Sequence, residues 1–214
     1  MILSRPDILR YIDGGKLTIN PMVNRDVDIA QVSVDLRLGR RFTKLKSLPP
    51  YIPAICVDKS LFSSLDLWEE LTQDEFDLEP GEFVLAQTME TIGIPNDLVG
   101  LVEGRSSWAR VGITIHVTAP KIDPGFKAPI TLEMANFGKA TVRLRAGIDK
   151  PAQLMLLRIS TELDAAQLYG NREGDIFQGQ SDPIARKKAS GRGQRRSAIR
   201  PSPEIPKDPK RRSK

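Results

Sequence analysis

Hydrophobic residues along this chain recur at two spacings, and the change from one to the other organises the reading. Near the N-terminus Ile8, Leu9 and Ile12 fall at helical spacing, after a Ser4/Asp7 pair that resembles a capping box and before a stop at Gly14 and Gly15. A short opening helix is predicted there. Residues 16–21 read as a brief extended piece. Residues 32–38 alternate strictly, with Val32, Val34, Leu36 and Leu38 on one face and Ser33, Asp35 and Arg37 on the other, the pattern of a half-buried strand. The ordinary reading of Asp35 and Arg37 is a solvated face carrying a cross-strand ion pair; the alternative is a catalytic role.

Between residues 42 and 78 the pattern is poor. Pro49 and Pro50 interrupt it, residues 61–71 are only weakly helical, and an insertion or long connection is expected. Beyond Leu78 apolar runs come at short intervals: 83–87 after Pro80-Gly81, 91–94 before Pro95-Asn96-Asp97, then 99–102, 130–136, 142–144 and 153–159, the last two separated by a turn around Gly147. Short strands with Pro, Gly, Asn and Asp between them predict an all-β barrel or sandwich. The core is expected to end near Ile159, and residues 169–180 are polar and loop-like.

Composition narrows the picture further. A chain of 214 residues with 40% hydrophobic content suits one main globular domain. No apolar run approaches the roughly 18 residues of a membrane span, and the N-terminus lacks the profile of a signal peptide, so a cytoplasmic location is expected. The single cysteine, Cys56, excludes an intramolecular disulfide framework. Of the net charge of +5, residues 187–214 carry +9, from eleven Lys and Arg against two acids, which leaves −4 for residues 1–186. That basic tail is rich in Pro, Ser and Gly and poor in large apolar residues, so it reads as disordered. Lys and Arg clusters of this kind bind polyanions; a solubilising extension is the plainer reading.

Candidate chemistry concentrates in residues 103–136. One His and one Cys cannot furnish the ligand set of a zinc hydrolase or a zinc-dependent nucleobase deaminase. His116, within the strand-like run 113–117, reads better as a buried, hydrogen-bonded side chain than as the base of a triad. Gly104-Arg105-Ser106-Ser107, leading into Trp108-Ala109-Arg110, reads as a turn opening one helical turn, and its hydroxyls and guanidiniums suit an anion; serines there are equally ordinary caps. In the strand 130–136, Ile130, Leu132 and Met134 share one face, while Glu133 stands on the other between Thr131 and Ala135. Small flanking residues leave room for a ligand or water, and a confined carboxylate can serve as a general base. A surface glutamate on a solvated strand is the alternative.

These blocks resemble the dCTP deaminases of the trimeric dUTPase superfamily. The resemblance runs through MILSRPDIL, GKLTINP, SVDLRLG, FVLAQTMETIGIP, EGRSSWARVGITIHVTA, IDPGF and ITLEMAN, and covers most of residues 1–180. GRSS and the TA and IDPG blocks are shared with dUTPases, whereas Glu133 is the mark of the deaminase branch. The resemblance implies a mainly β, distorted β-barrel or jelly-roll subunit of the dUTPase type with a short N-terminal helix, a C-terminal lid over about 160–180, and a homotrimer with interfacial active sites. It implies zinc-independent deamination of dCTP to dUTP and ammonia, supplying dUTP for thymidylate synthesis, with Mg²⁺ bound to the triphosphate and dTTP as a feedback ligand; a bifunctional enzyme giving dUMP and a weakened nucleotide-binding or nucleic-acid-binding relative are the alternatives. Glu133 would activate water, with Ser106 and Arg110 holding water and phosphates and Arg105 and Ser107 joining the phosphate grip. Backbone at Thr118 and Ala119 would read the pyrimidine, Asp123 the sugar or base side, and Lys121 would reach in from a neighbouring subunit. Tyr169 and Gln180 would contact the nucleotide from the lid. Ile176 stands where the family's lid carries a lysine, which leaves Arg172 or Arg186 as substitute cations. The turn 146–151 also departs from the family's usual sequence there.

Overall fold

The computed structural model describes residues 1–48, 50, 54–55, 57, 67–172, 175, 177–179 and 183–184. The opening helix α1 (Arg5–Asp13) forms where the pattern places it, burying Ile8, Tyr11 and Ile12. The Asp7 carboxylate takes a hydrogen bond from the Ser4 hydroxyl at 2.6 Å and one from its backbone N–H at 3.4 Å. Gly14 closes the helix by donating to the Arg10 carbonyl at 2.9 Å, and Gly15 turns the chain at a φ of +67°. Strand β1 (Thr18–Asn20) follows, then a single turn α2 (Arg25–Asp28).

The alternating run 32–38 is not one strand. It divides into β2 (Ser33–Leu36) and β3 (Leu38–Leu45), which belong to different sheets. The break falls at Arg37, whose N–H donates to the buried carboxylate of Glu90 at 3.0 Å instead of joining a strand ladder, and whose Nε donates to the same carboxylate at 2.6 Å. Val34, Leu36 and Leu38 are fully buried as predicted, but Val32 is 44% exposed because β2 begins after it. The weakly helical reading of 61–71 also fails where the residues are described. Trp68–Thr72 is strand β4, defined by backbone pairing with β3 at the edge of a sheet rather than by alternation, and β5 (Glu75–Leu78) follows it. The predicted strands 83–87 and 91–94 are one strand, β6 (Phe83–Gly93).

β7 (Leu98–Gly104), α3 (Ser106–Ala109), β8 (Ile113–Thr114), β9 (Lys121–Ile122), β10 (Lys127–Asn136), β11 (Val142–Arg145) and β12 (Ala152–Arg158) follow among the described residues, then a 3₁₀ turn at Ala165–Gln167. One sheet runs β4-β3-β6-β10-β8, with β1 also paired to β6; a second runs β2-β12-β7-β9; β5 and β11 form a small third. β6 is the spine of the first sheet, with β10 along one edge and β3 and then β1 along the other. The β6–β10 register slips between Pro129 and Thr131, and the Ile130 N–H is taken by the Thr88 hydroxyl at 2.9 Å.

The sheets do not close into a barrel: they are the open sheets of a jelly-roll-like, mainly β fold with few short helices. Between them lies one apolar core that takes Val34, Leu154 and Leu156 from one sheet and Phe42, Val84, Ile92, Leu132 and Met134 from the other. Each such large side chain contributes about 1.5–3 kcal/mol on burial. The packed interior does not stop near Ile159. Ile184 is fully buried in a second small cluster with Trp68, against which Leu85 packs. Among the described residues no helix is long and apolar enough to cross a membrane.

Candidate functional site

β10 carries the central carboxylate. Its alternation buries Ile130, Leu132 and Met134 to 1% exposure or less, while Thr131 and Glu133 stand half-buried on the opposite face; Ala135, also on that face, is buried. After β8 ends at Thr114 the chain leaves the ladder, where the alternating run 113–117 predicted continued strand. The Thr114 hydroxyl instead donates to the His116 carbonyl at 2.6 Å, and the next N–H, from Val117, donates to Glu133 Oε2 at 3.0 Å. Glu133 Oε1 has no hydrogen-bond partner among the described residues. One oxygen is therefore held and the other is available. His116 is a packed residue: its Nε2 lies 3.1 Å from Glu103 Oε2, and its Nδ1 is buried without a partner among the described residues.

The serine-arginine turn is built where β7 meets α3. The Arg105 N–H donates to the Pro151 carbonyl at 3.0 Å, and half-buried Trp108 anchors the turn on the core. Ser106, Ser107 and Arg110 are exposed, and their side chains make no hydrogen bond or ion pair with any described residue. Arg105 differs. Its Nη1 lies 3.2 Å from Asp35 Oδ2 and donates to the Lys150 carbonyl at 3.3 Å. Asp35 is thus ion-paired, but with Arg105 across the sheet, and Arg37 pairs with Glu90. Burial pushes the Asp35 carboxyl up, Arg105 opposes this, and the nearby Asp28 reinforces it. Within one chain no hydrogen bond or ion pair joins Glu133 to the residues 105–110.

The other predicted residues gather around the Asp-Pro-Gly turn. Phe126 N–H donates to the Asp123 carbonyl at 3.1 Å, and Gly125 takes a φ of +87°, the left-handed third position of a type II turn after Pro124. Asp123 Oδ1 accepts from Lys121 Nζ at 2.7 Å, within the same chain, and Asp123 Oδ2 lies 3.9 Å from Arg172 Nη2. Thr118 and Ala119 are exposed on the segment between Val117 and this turn. Tyr169 donates its N–H to the Pro124 carbonyl at 2.9 Å and lays its ring on Phe126, with centroids 5.8 Å apart. Burial pushes its phenol up, and the hydroxyl accepts from the Phe177 N–H at 3.2 Å. Gln180 and Ile176 lie outside the described residues, as do Cys56, Arg186 and the basic tail.

Three participants escaped the sequence reading. Gln178 fastens the C-terminal segment by accepting from the Lys127 N–H at 3.2 Å and donating to the Gly125 carbonyl at 3.0 Å. Asp175 holds Arg172 through Nη2 at 2.9 Å and also accepts the Gly170 N–H at 2.8 Å. Val117 serves Glu133 through its backbone. Gln178 acts across about fifty residues and Val117 through its main chain, for which side-chain spacing carries no signal; only the Arg172–Asp175 pair, three residues apart, had a local one.

The fold is that of a mainly β, jelly-roll-like protein with few short helices. More particularly, the chain belongs to the dCTP deaminase-like family, whose pattern matches residues 2–159. It is 41% identical over 189 residues to a dCTP deaminase of Haloarcula marismortui, covering 87% of this chain and 94% of that one. It is 42% identical over 186 residues to a "dCTP deaminase, dUMP-forming" of Methanosphaera stadtmanae, covering 85% of this chain and 91% of that one. In three dimensions it resembles the crystal structure of 2'-deoxycytidine 5'-triphosphate deaminase from Agrobacterium tumefaciens, with a TM-score of 0.56 at 24% identity over 74% of this chain and 47% of that chain. The last likeness concerns the fold.

Proposed function

We propose that this protein is a dCTP deaminase that converts dCTP and water to dUTP and ammonia, with Glu133 as the general base. The observation that carries the reading is the divided state of Glu133: the Val117 N–H holds Oε2 at 3.0 Å, while Oε1 has no partner among the described residues and can take a proton from water. The water oxygen bonds to cytosine C4 as the C4=N3 π electrons move to N3, and the proton taken by Glu133 passes to the exocyclic nitrogen. The C4–N bond then breaks, its electron pair leaving with ammonia, and the remaining hydroxyl proton ends on N3 so that C4 becomes a carbonyl. General-base assistance of this kind is worth about 10²- to 10⁴-fold.

The exposed side chains of Ser106, Ser107 and Arg110, unpartnered among the described residues, suit a triphosphate, which brings its Mg²⁺ with it. No bond joins them to Glu133 within a chain, and this supports a site completed between copies in a homotrimer. Backbone near Thr118 and Ala119 reads the pyrimidine and Asp123 the sugar or base side. Lys121 and Tyr169 lie beside Asp123, Lys121 through its 2.7 Å contact and Tyr169 through its bond to Pro124, and Gln180 is assigned to the lid. Replacing Glu133 with Gln is expected to abolish ammonia release while nucleotide binding persists; retained deamination would refute the assignment.

A second reading is favoured by the name of the Methanosphaera relative. The same chain would then also cleave dUTP between its α and β phosphates, giving dUMP and pyrophosphate. Chromatography of the products from dCTP separates the two: dUTP accumulates in the first case, dUMP and pyrophosphate in the second.

A further inference from the structure

We propose that Asp35 is a positioning residue for the triphosphate site, fixing one edge of the Arg105 guanidinium so that its other edge is presented to a phosphate. The inference rests on the deaminase reading for its substrate and on separate geometry for its mechanism. Arg105 meets described residues through Nη1, which lies 3.2 Å from Asp35 Oδ2 and donates the side chain's one hydrogen bond to a described residue, to the Lys150 carbonyl at 3.3 Å. Nε and Nη2 have no protein partner there. They form the edge of the fork that matches two oxygens of a phosphate.

The environment of the pair is asymmetric in the way such a device requires. The Asp35 side chain is 14% exposed and that of Arg105 39%, so the anion sits beneath and the cation reaches out. The support is itself fastened from several segments. Asp35 on β2 lies in register with Gln153 on β12, which lies in register with Glu103 on β7, so the three polar side chains form a row across one face of the sheet. Gln153 takes the Ser33 hydroxyl at 3.1 Å and donates to the Gly104 carbonyl at 3.1 Å, one residue before Arg105. Lys150 is in turn ion-paired to Asp28, whose side chain is 5% exposed. Ser106 and Ser107, whose hydroxyls have no partner among the described residues, follow directly on the same turn. A guanidinium clamped on one edge binds an anion without first losing its own rotational freedom.

The test uses the full-length protein and the variants Asp35→Asn, Arg105→Gln and the two combined, with three readouts: ammonia release, calorimetric binding of dCTP, and binding of deoxycytidine, which lacks phosphates. For Asp35→Asn the KM and Kd for dCTP are expected to rise about tenfold with kcat within about twofold and deoxycytidine binding little changed. The double variant should match Arg105→Gln alone, because Asp35 acts through Arg105. Equal weakening of dCTP and deoxycytidine, or effects of the two substitutions that simply add, would overturn the proposal and leave the pair a weld between β2 and the turn. If the wild-type protein binds dCTP but releases no ammonia, the deaminase reading fails, and the comparison of dCTP with deoxycytidine still decides the role of Asp35. Absence of all nucleotide binding overturns both.

Discussion

Replacing Gly125 with alanine probes the joint between the Asp-Pro-Gly turn and the C-terminal segment. Gly125 has a φ of +87°, where a side chain costs about 1–2 kcal/mol. An added Cβ would also lie 2.7 Å from Leu168 Cβ and 3.0 Å from the Tyr169 backbone nitrogen. If the segment stayed docked, overpacking would add about 1–3 kcal/mol to the strain. The segment has an easier escape. It is fastened near Gly125 by the Tyr169–Pro124 bond, the Tyr169–Phe126 ring contact and the exposed hydrogen bonds of Gln178, all of which separate together if Leu168, Tyr169 and Gln178 lift away. Undocking is therefore expected to win, so the global stability loses the turn strain together with the smaller free energy of these exposed docking contacts. The thermal midpoint should fall by at least about 2–8 °C from the strain, at about 2–4 °C per kcal/mol for a chain of this size. Hydrogen exchange should show the Tyr169 amide losing protection while β6 and β10 keep theirs, and, on the proposed function, the KM for dCTP should rise as Tyr169 leaves the Asp-Pro-Gly turn. Unchanged protection at Tyr169 together with an unchanged KM would refute the reasoning.

Two further outcomes follow from single side chains. Asn136 is fully buried, donates to the carbonyls of Leu78 and Ala140 and accepts the Gly138 N–H, each at 2.9 Å, so Asn136→Ala should destabilise the protein by about 2–4 kcal/mol in urea unfolding; a loss under about 1 kcal/mol would contradict this account of the turn. The Arg172 hydrogen bond holds the Asp175 carboxyl below the usual carboxylate range, with Gly170 and Arg172 N–H groups adding to the effect. A lowered native value means that the contribution of Asp175 is present above the unfolded value near 3.9 and is lost as pH falls through the native one. The Gly170 amide should accordingly keep its protection at mildly acidic pH and lose it only below about pH 4, whereas loss beginning above about pH 5 would show that Asp175 does not hold the segment.

Much of the site was legible because local rules govern its pieces. Alternation in 130–136 depends only on the pleat, so it placed Glu133 opposite the buried Ile130, Leu132 and Met134 before any neighbour was known. The Asp-Pro-Gly turn, the opening helix and the turn at Gly147 follow from the φ preferences of proline and glycine and from capping, which are also local. The dense blocks from residue 83 to 136 carried the family. What local pattern could not carry was the partner of each polar group. Asp35 and Arg37 alternate like any solvated pair, yet each reaches a residue more than fifty positions away, Arg105 and Glu90.

The sequence by itself determined the class of fold, the face on which Glu133 stands, and the residues that crowd the serine-arginine and Asp-Pro-Gly turns, because each depends on backbone geometry over a few residues. Only the tertiary structure decided where a strand changes sheets, since a buried carboxylate took the Arg37 N–H from the ladder. Only it decided that Ile184 returns to the interior and that Gln178 and Asp175 fasten the C-terminal segment. The division of labour among Arg105, Ser106, Ser107 and Arg110 also came from packing. All four carry anion-binding groups, but among the described residues only Arg105 is ion-paired, with the half-buried Asp35, because β2, β12 and β7 bring Asp35 beneath it.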